Sequence, residues 1–332
     1  MINKEEVKNI LISRTDRMGD VILTLPLVTA VKKLFNDSKV YFLGKEYVKE
    51  LIHDYEGIDE FISEDSAASF SDKLKLIKGK NIDLVINVKP EFDLAVIMYL
   101  SGIKYRIGTG YRWYSFLYNY KVYEHRKVSD RHESEYNLNL LGNFFPEAVT
   151  EKSFHFRYSE DEINKFRKNI SNYIPDPDSS YIVIHPGSSG SSKDLPAGKF
   201  SELTNLLLEK YSGQRVVLTG LRNESELIKK IINGIRKEFR SRITDLSGKM
   251  NLRELLILID NSDMFIANST GPIHIAGALN KNIIGFYPNE NVMSSTRWKP
   301  LGDNCVIINP DEENNMESID PKKVLEAAEK FL

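Results

Sequence analysis

Residues 14–20 form the first segment whose side chains could do chemistry. Two arginines and two aspartates stand together there, and Gly19 directly precedes Asp20. A carboxylate in such a loop can remove a proton from a bound hydroxyl group, and arginines beside it can hold an anionic substrate. Asp is also a common N-cap residue, and a helix dipole would then lower the basicity of Asp20. The sequence leaves both interpretations of Asp20 open.

Two further segments have the composition of anion-binding loops. Residues 185–193 are rich in Gly and Ser and end in Lys193, so backbone N–H groups, hydroxyls and one ammonium group are available to a diphosphate. Residues 268–274 carry Ser, Thr, Gly and Pro in the order of a helix start, where free N–H groups and the helix dipole attract anions. The simpler alternatives are a solvated surface loop and an ordinary capped helix with a structural His274.

Glu224 closes a fourth polar loop, residues 219–224. Its carboxylate could accept hydrogen bonds from ribose hydroxyls, as acidic residues do in nucleotide-binding folds, although capping of the next helix explains it equally well. The loop at 14–20 has neither the G-x-G-x-x-G pattern nor the Walker pattern. It therefore supports neither a dinucleotide-dependent enzyme nor a P-loop nucleotidase.

Residues 101–131 form a basic and aromatic stretch. Seven Lys and Arg residues stand against two acidic residues there, and eight aromatic residues are interleaved with them. Such a composition suits an anionic saccharide, an acidic lipid surface or single-stranded nucleic acid. No recognised nucleic-acid-binding module surrounds the stretch, which argues against nucleic acid. The alternative is a set of core tyrosines beside solvated charges.

These loops alternate with apolar segments of two kinds along the chain. Short apolar runs bounded by turn residues predict strands, and apolar residues at every third or fourth position predict helices. Strands are expected at residues 9–12, 39–43, 84–88, 181–184, 215–219, 264–267 and 282–286. Helices are expected at residues 21–35, 47–54, 92–101, 197–211, 224–239, 252–261, 272–279 and 321–332. The alternation predicts an α/β fold made of βαβ units with parallel sheets.

A polar segment with two prolines, residues 172–180, is the expected domain boundary. It divides the chain into residues 1–172 and 173–332, two doubly wound halves of similar size that face a cleft. The helix expected at 321–332 is free to pack back onto the first half. A length of 332 residues also agrees with two domains.

The composition excludes several classes of protein. A net charge of -2 gives no basic field of the kind that marks nucleic-acid-binding proteins. The one cysteine cannot form an internal disulfide, and the six histidines show no metal-ligand spacing, so a metal site is not expected. No run is long and apolar enough for a signal peptide or a membrane span. A cytoplasmic protein is expected, with peripheral contact to the inner membrane left open.

Three segments together resemble glycosyltransferase family 9, the ADP-heptose:lipopolysaccharide heptosyltransferases. They are Ile10 to Pro26, with the pattern R-x-D-R-x-G-D-V at residues 14–21; His185 to Pro196, which begins His-Pro-Gly and includes Lys193; and Asn268 to His274, which contains T-G-P-x-H. Residues 131–138 also resemble the mid-chain segment of that family. The similarity covers most of the chain, and the first and third patterns are fairly specific in combination.

The resemblance implies a GT-B fold, in which the first of two Rossmann-like domains binds the acceptor and the second binds ADP-heptose. It implies inverting transfer, without a metal or cofactor, from this nucleotide-sugar donor to an inner-core acceptor of lipopolysaccharide. The catalytic residues that it implies are Asp20, the general base, and Lys193, which binds the diphosphate. Donor-binding residues are expected at Gly187, Ser188, Glu224, Ser269, Thr270, Gly271 and His274. The basic character of the first loop and of residues 101–131 adds acceptor-binding cations at Arg14, Arg17, Arg106 and Arg112.

Two positions depart from the family pattern. Ser269 stands where many members have Asp, so a neutral hydroxyl replaces a charge beside the donor, and Leu195 stands where many have Trp. Two alternatives to a heptosyltransferase therefore stay open. One is a GT-B transferase that uses another nucleotide sugar, and the other is a non-catalytic protein that binds a nucleotide sugar. The presence of both Asp20 and Lys193 argues against the second.

Overall fold

A computed structural model describes residues 2–67, 69–148, 152–174, 179–312 and 315–332. The chain forms two compact units, Met1–Arg157 and Tyr158–Leu332. Over its described residues, each unit is built on one six-stranded parallel sheet. No helix among the described residues has the length and apolar character needed to cross a membrane.

The described part of the first unit contains six strands. They are β1 (Asn9–Ser13), β2 (Lys39–Gly44), β3 (Glu60–Ser63), β4 (Leu84–Asn87), β5 (Tyr105–Thr109) and β6 (Tyr120–Val122). All pair in parallel, and their order across the sheet is β3-β2-β1-β4-β5-β6. This is the strand order of a Rossmann fold, so the doubly wound architecture expected for this half is confirmed.

The helices described in the first unit include two packed pairs. They are α1 (Met18–Ile22), α2 (Leu25–Leu34), α3 (Lys49–Ile52), α4 (Phe70–Lys78), α5 (Phe92–Leu100) and α6 (Glu133–Gly142). Helix α2 packs with α6, and α4 packs with α5. The central strands β1 and β4 are almost completely buried, which explains why their sequences are continuous apolar runs.

The single helix expected at residues 21–35 is in fact two helices, α1 and α2. The break lies at Leu23 and Thr24, where Thr24 is the N-cap of α2 and Pro26 occupies its first turn. The hydroxyl of Thr24 donates to the carbonyl oxygen of Asp20 at 2.8 Å. The break therefore leaves Asp20 on a short helix of its own, directly after β1.

The second unit repeats the sheet of the first. Its described strands are β7 (Tyr181–His185), β8 (Arg215–Leu218), β9 (Ile243–Asp245), β10 (Met264–Asn268), β11 (Ile283–Phe286) and β12 (Cys305–Ile308). The order β12-β11-β10-β7-β8-β9, all parallel, is again that of a Rossmann fold. Both halves therefore have the α/β architecture that the sequence predicts.

Seven helices belong to the described part of the second unit. They are α7 (Glu160–Ile170), α8 (Ala197–Lys210), α9 (Ser225–Gly234), α10 (Leu252–Asp260), α11 (Gly271–Ala278), α12 (Ser295–Trp298) and α13 (Pro321–Ala328). Leucines and isoleucines of α8 and α9 join the apolar side chains of β7, β8, β10 and β11 in one core. Burial of these apolar side chains stabilises the second sheet.

Helix α7 shows that the division between the units differs from the expected boundary. The expected boundary, between residues 172 and 173, follows α7, whereas the observed division precedes it. Arg253 on α10 donates to Glu162 on α7, Nε to Oε1 at 2.8 Å, and α7 buries Phe166 and Ile170. These contacts place α7 in the second unit. Residues 175–178, which include both prolines of the expected boundary, lie outside the described residues.

Helix α13 packs within the second unit, whereas the sequence left it free to pack on the first. Its neighbours are α8 and β11, and Val324 and Ala328 are buried in the core of that unit. The spacing of four residues places both side chains on one face of the helix. Helix α13 thus completes the second domain.

The placement of α13 can be tested by replacing Val324 with alanine. Loss of two buried methyl groups should lower the free energy of unfolding by about 1–3 kcal/mol. The chain has two tryptophans, so the variant is made in Trp113→Phe protein, where the fluorescence of Trp298 reports on the second unit. The urea midpoint should fall, whereas Glu326→Ala, exposed on the same helix, should leave it unchanged. An unchanged midpoint for Val324→Ala would place α13 outside this core.

Candidate functional site

Asp20 is the third residue of α1, at the carboxyl end of β1. The N-cap of α1 is Arg17, which makes no side-chain capping bond, so the interpretation of Asp20 as the N-cap is wrong. The side chain of Asp20 is only 15% exposed. Its carboxylate forms an ion pair with the guanidinium of Arg14.

The guanidinium group of Arg14 is the centre of this site. Its side chain is 4% exposed, and its Nε donates to Asp16 at 2.7 Å. Its two terminal nitrogens donate to Asp20 on one side and to Glu133 on the other, the latter at 3.1 Å. Arg14 was expected to bind the acceptor, but burial and these bonds place it beneath Asp20, as a residue that holds the carboxylate.

Helix α6 supplies the far side of the cluster through Glu133 and Asn137. The amide oxygen of Asn137 accepts from Arg14 at 3.3 Å and from Arg126 at 3.0 Å. Its amide nitrogen donates to the carbonyl of Leu23 at 3.0 Å, in the break between α1 and α2. Glu133 and Asn137 are four residues apart and so share one face of α6. One face of α6 thereby holds both the guanidinium of Arg14 and the end of α1, the helix that carries Asp20.

Burial of Asp20 raises the pKa of its carboxyl group to about 6. Burial is the largest cause, because it disfavours the charged form. The positive charge of Arg14 lowers the pKa, but the negative charges of Asp16 and Glu133 raise it again. The outcome is the reverse of the helix-cap expectation, in which the dipole lowers the basicity of Asp20. A carboxylate with a pKa near 6 can act as a base at neutral pH.

The surface beside Asp20 is formed by residues of three loops. Arg17 is exposed there. The hydroxyl of Thr15 donates to Glu91, in the loop after β4, at 3.0 Å. Tyr47 donates to the carbonyl of Asp16 at 3.4 Å. Strands β1 and β4 are the pair at which the strand order reverses, and ligands of such sheets bind in the loops at that point.

The two arginines expected from the basic stretch have different surroundings. Arg112 is exposed, in the loop that follows β5. Arg106 lies near the amino end of β5, and its Nε donates to the carbonyl of Leu117 at 2.7 Å while a second nitrogen donates to the carbonyl of Ile103. Its guanidinium also lies 5.3 Å from the ring centre of Tyr99. Arg106 therefore ties the chain between β5 and β6 to the segment just before β5.

In the second unit, the loops singled out in the sequence all follow the carboxyl ends of strands. Residues 186–194 follow β7, residues 219–224 follow β8, and residues 269–270 lead from β10 into α11. Strands β7 and β10 are the adjacent pair at which the order of this sheet reverses. The structure therefore brings the predicted donor-binding residues to one edge of the sheet, at the position where nucleotides bind in such folds.

Gly187 and Glu224 meet closely at this edge. A Cβ atom at Gly187 would collide with the carboxylate of Glu224, so any larger residue would displace that side chain from its present position. The carboxylate accepts from the hydroxyl of Ser189 at 3.0 Å and from the backbone N–H of Leu221 at 2.7 Å. The second bond is the capping role that the sequence left open for Glu224, and the first joins it to the loop after β7.

Buried side chains hold the base of this edge. His185 is buried against the hydroxyl of Thr219, 2.9 Å from Nδ1, and burial lowers the pKa of its imidazole to about 4. Asn268 donates to the carbonyl of Pro186 at 2.6 Å and accepts from the N–H of Leu195 at 2.9 Å. Asn268 therefore ties both ends of the loop after β7 to the end of β10.

The helix start after β10 also lies where the sequence predicts it. Thr270 is the N-cap of α11, Gly271 is its first residue, and His274 is buried one turn later. The carbonyl of Ser269 accepts from the hydroxyl of Ser191 at 3.3 Å, which joins this turn to the loop that contains Ser188. Within the described ranges, no three His, Cys, Asp or Glu side chains are arranged to hold a metal ion.

Lys193 forms an ion pair with Glu290, in the loop after β11. The side chain of Lys193 is 46% exposed, and that of Glu290 is 33% exposed. An ion pair so exposed contributes little to stability, so a diphosphate can displace Glu290 at small cost. The ammonium group is thereby held at the edge of the sheet in a position that a ligand can reach.

Several residues of the two sites were not among the site residues expected from the sequence. In the first unit they are Asp16, Glu133, Asn137 and Arg126, and in the second unit they are Asn268 and Glu290. The spacing of Glu133 and Asn137 on one helix face was a usable signal. No signal in the sequence pointed to Glu290, because it is far from Lys193 along the chain.

The buried cluster predicts a large loss of stability for Arg14→Gln. The change leaves Asp16, Asp20 and Glu133 together with less positive charge, and breaking a buried ion pair in this way costs about 3–5 kcal/mol. Urea unfolding of the first unit, followed by Trp113 fluorescence in Trp298→Phe protein, measures it. Arg17→Gln, on the exposed neighbour, is the control and should change stability little. A loss below 1 kcal/mol for Arg14→Gln would contradict the central role of Arg14.

Comparison with known proteins identifies the family. The family model described as glycosyltransferase family 9 (heptosyltransferase) matches residues 73–328. A Haemophilus influenzae protein named only as a glycosyltransferase is 28% identical over 90% of this chain and 87% of its own. Lipopolysaccharide heptosyltransferase 3 of Escherichia coli K12 is 26% identical over 87% of this chain and 84% of its own.

Solved structures agree on the fold. The structure of E. coli ADP-heptose lipopolysaccharide heptosyltransferase II has a TM-score of 0.83 at 19% identity, and the match covers 98% of each chain. The expected GT-B fold is thereby confirmed. Because the family model covers more than half of the sequence, the chain belongs to glycosyltransferase family 9, the heptosyltransferases, and is a glycosyltransferase.

Proposed function

We propose that this glycosyltransferase moves a heptose from ADP-heptose to a sugar of a lipopolysaccharide core, with inversion at the anomeric carbon. The names of its relatives support the donor and the acceptor. The observation that carries the proposal is Asp20, a buried carboxylate with a raised pKa at the ligand-binding edge of the first sheet. We place the reaction in the cytoplasm, in peripheral contact with the inner membrane, as part of the same proposal.

In the proposed reaction, Asp20 is the general base. It removes the proton from the acceptor hydroxyl while the hydroxyl oxygen attacks the anomeric carbon of the donor. The bond between that carbon and the diphosphate oxygen breaks, and ADP leaves from the opposite face, so the configuration inverts. General-base assistance of this kind accelerates a reaction by about 10²–10⁴-fold. Arg14 holds the carboxylate in place, and exposed Arg17 and Arg112 meet acidic groups of the acceptor.

The second unit is proposed to bind the donor. Lys193 leaves Glu290 and pairs with the diphosphate, and the N–H groups at the start of α11, after Thr270, stabilise the charge that develops on ADP. These groups supply the positive charge that the leaving group needs, so the proposal includes no metal ion. Glu224 accepts from the ribose hydroxyls, for which it exchanges its bond to Ser189.

Transfer from another nucleotide sugar is the second candidate, and Ser269 favours it. A neutral hydroxyl at this position removes one charge-assisted hydrogen bond to the donor sugar. Incubation with ADP-heptose and a heptose-deficient core acceptor decides between the candidates. A heptosylated product supports the main proposal. Binding of ADP-heptose without product indicates a non-catalytic binding protein, and neither binding nor product indicates a different donor.

Asp20→Asn should remove the proton-accepting carboxylate without changing the shape of the side chain. We expect kcat to fall by at least about 10²-fold, because the amide cannot accept the proton. The affinity for ADP, measured by calorimetry, should stay within twofold of the wild type, because the donor residues lie in the second unit. Transfer at more than a tenth of the wild-type rate would remove Asp20 from the role of base.

The pKa of Asp20 predicts how the rate depends on pH. The base works only when it is deprotonated, so kcat/KM for the acceptor should fall tenfold per pH unit below about 6 and level off above it. His185, with a pKa of about 4, does not titrate in this range. Initial rates between pH 5 and 8 measure the profile. A flat profile across this range would contradict the assignment.

A further inference from the structure

Two exposed aromatic rings lie together at the carboxyl edge of the first sheet. Phe92 follows the loop after β4, and Trp113 lies in the loop after β5. The ring centres are 4.8 Å apart, and the ring planes meet at 34°. Trp113 is 73% exposed and Phe92 is 42% exposed. Exposed apolar groups that gather in one place usually mark a binding surface.

A buried aromatic group holds this pair from beneath. The ring of Tyr114 packs at a steep angle against both exposed rings, with centres 5.5 Å from each. Tyr114 packs in turn on Tyr118, whose hydroxyl accepts a hydrogen bond from Asn87 at 2.6 Å. The exposed rings are therefore fixed before any ligand binds, which lowers the entropic cost of binding.

Glu91 connects the aromatic pair to the loop of Asp20. It directly precedes Phe92 and accepts the hydrogen bond from Thr15, the neighbour of Arg14. The pair thus belongs to the same edge of the sheet as the proposed base, and the acceptor is the substrate that binds there.

Two polar atoms beneath this edge also point to a bound ligand or an ordered water. Ser13 and Asn87 lie opposite each other at the ends of β1 and β4. In the described part of the chain, the hydroxyl of Ser13 and the amide oxygen of Asn87 are buried without a hydrogen-bond partner. Buried polar groups are nearly always bonded in native proteins, and these two lie where the strand order of the sheet reverses.

We propose that Phe92 and Trp113 form a platform on which a ring of the acceptor saccharide stacks. The inference rests on the proposed function and names the contact that selects the acceptor. Pyranose rings present C–H groups on their faces and hydroxyls at their edges, so a face packs on an aromatic ring while the hydroxyls stay hydrated. Arg112, exposed beside Trp113, pairs with a carboxylate or phosphate group of the same saccharide. The ligand is therefore an acidic oligosaccharide.

A saccharide fits the pair better than a membrane surface does. Electrostatic binding to an anionic membrane needs a cluster of cations, and interfacial anchoring needs an amphipathic helix. The loops that carry the two rings contain only two cations, Lys89 and Arg112, and Lys89 is paired with Glu91 at 2.6 Å. Two fixed rings at an angle instead match a ligand the size of a few sugar rings.

The platform is tested with the full-length protein and a fully deacylated oligosaccharide prepared from a lipopolysaccharide core. Calorimetry measures the Kd of this oligosaccharide and, separately, the Kd of ADP. The variants are Trp113→Ala, Phe92→Ala and Trp113→Tyr, and Phe116→Ala is the matched control because Phe116 is also a highly exposed aromatic residue. Trp113→Ala should weaken oligosaccharide binding about tenfold, as loss of a tryptophan contact does in other binding sites. Trp113→Tyr should restore most of the affinity, and Phe116→Ala should not change it.

Three results would overturn the platform. The first is an oligosaccharide Kd for Trp113→Ala within twofold of the wild type. The second is a wild-type protein that does not bind the oligosaccharide. The third is a loss of binding to phosphatidylglycerol vesicles in Trp113→Ala with unchanged oligosaccharide affinity, which would identify a membrane contact. The Kd of ADP should be the same in every variant. A changed Kd of ADP would show that the substitution disturbs the whole fold and does not act on acceptor binding alone.

The platform and the proposed function can fail separately. If the wild type binds the oligosaccharide through Trp113 but transfers no heptose to it, the platform stands and the proposed reaction fails. If heptose is transferred and Trp113→Ala shows an unchanged KM for the acceptor, the reaction stands and the platform fails.

Discussion

The buried guanidinium of Arg14 is the interaction on which the first site depends. A cation taken out of water is stable only if its donors are satisfied, and Asp16, Asp20, Glu133 and Asn137 do this together. Counting Arg126, which also pairs with Glu133, the cluster has two guanidinium groups against three carboxylates. Burial, together with the negative charges of Asp16 and Glu133, raises the pKa of Asp20 against the opposing effect of Arg14. The cluster that holds the carboxylate in place therefore also sets its basicity.

The second site is held together by different means. No guanidinium is buried beneath its loops in the described structure; neutral hydrogen bonds from Asn268 and the packing of Glu224 on Gly187 fix their shape. The ammonium group of Lys193 is half exposed and paired with Glu290. This difference suits the roles proposed for the two units. A general base needs fixed surroundings that keep its pKa constant. A diphosphate site, in contrast, must exchange a weakly bound carboxylate, here Glu290, for the strongly bound diphosphate.

Much of the fold could be predicted because its central strands and helices follow clear periodicities. Strands β1, β4, β7 and β10 are apolar runs in the middle of each sheet, and all were expected. Strands β3, β6, β9 and β12 were not expected, because they lie at the sheet edges and are short and only partly buried. Strand β5 was not expected either, because Arg106 and Thr109 interrupt its apolar residues. The prediction of a single helix at residues 21–35 took no account of Pro26. This proline lies in the first turn of a second helix, α2, so Asp20 is on a separate helix.

The sites were harder to predict than the fold, and the reason is distance along the chain. The sequence singled out Asp20, Lys193, Glu224 and the turn at Thr270, because each stands beside turn residues with which it acts. It could not show that Arg14 is buried, since the residues that bury it, Glu133 and Asn137, come more than a hundred positions later. A local pattern shows which groups are present, but their protonation depends on partners that only folding brings near. For Asp20 the local argument gave the wrong direction of the pKa shift, because burial, with the negative charges of Asp16 and distant Glu133, outweighs the dipole of a five-residue helix.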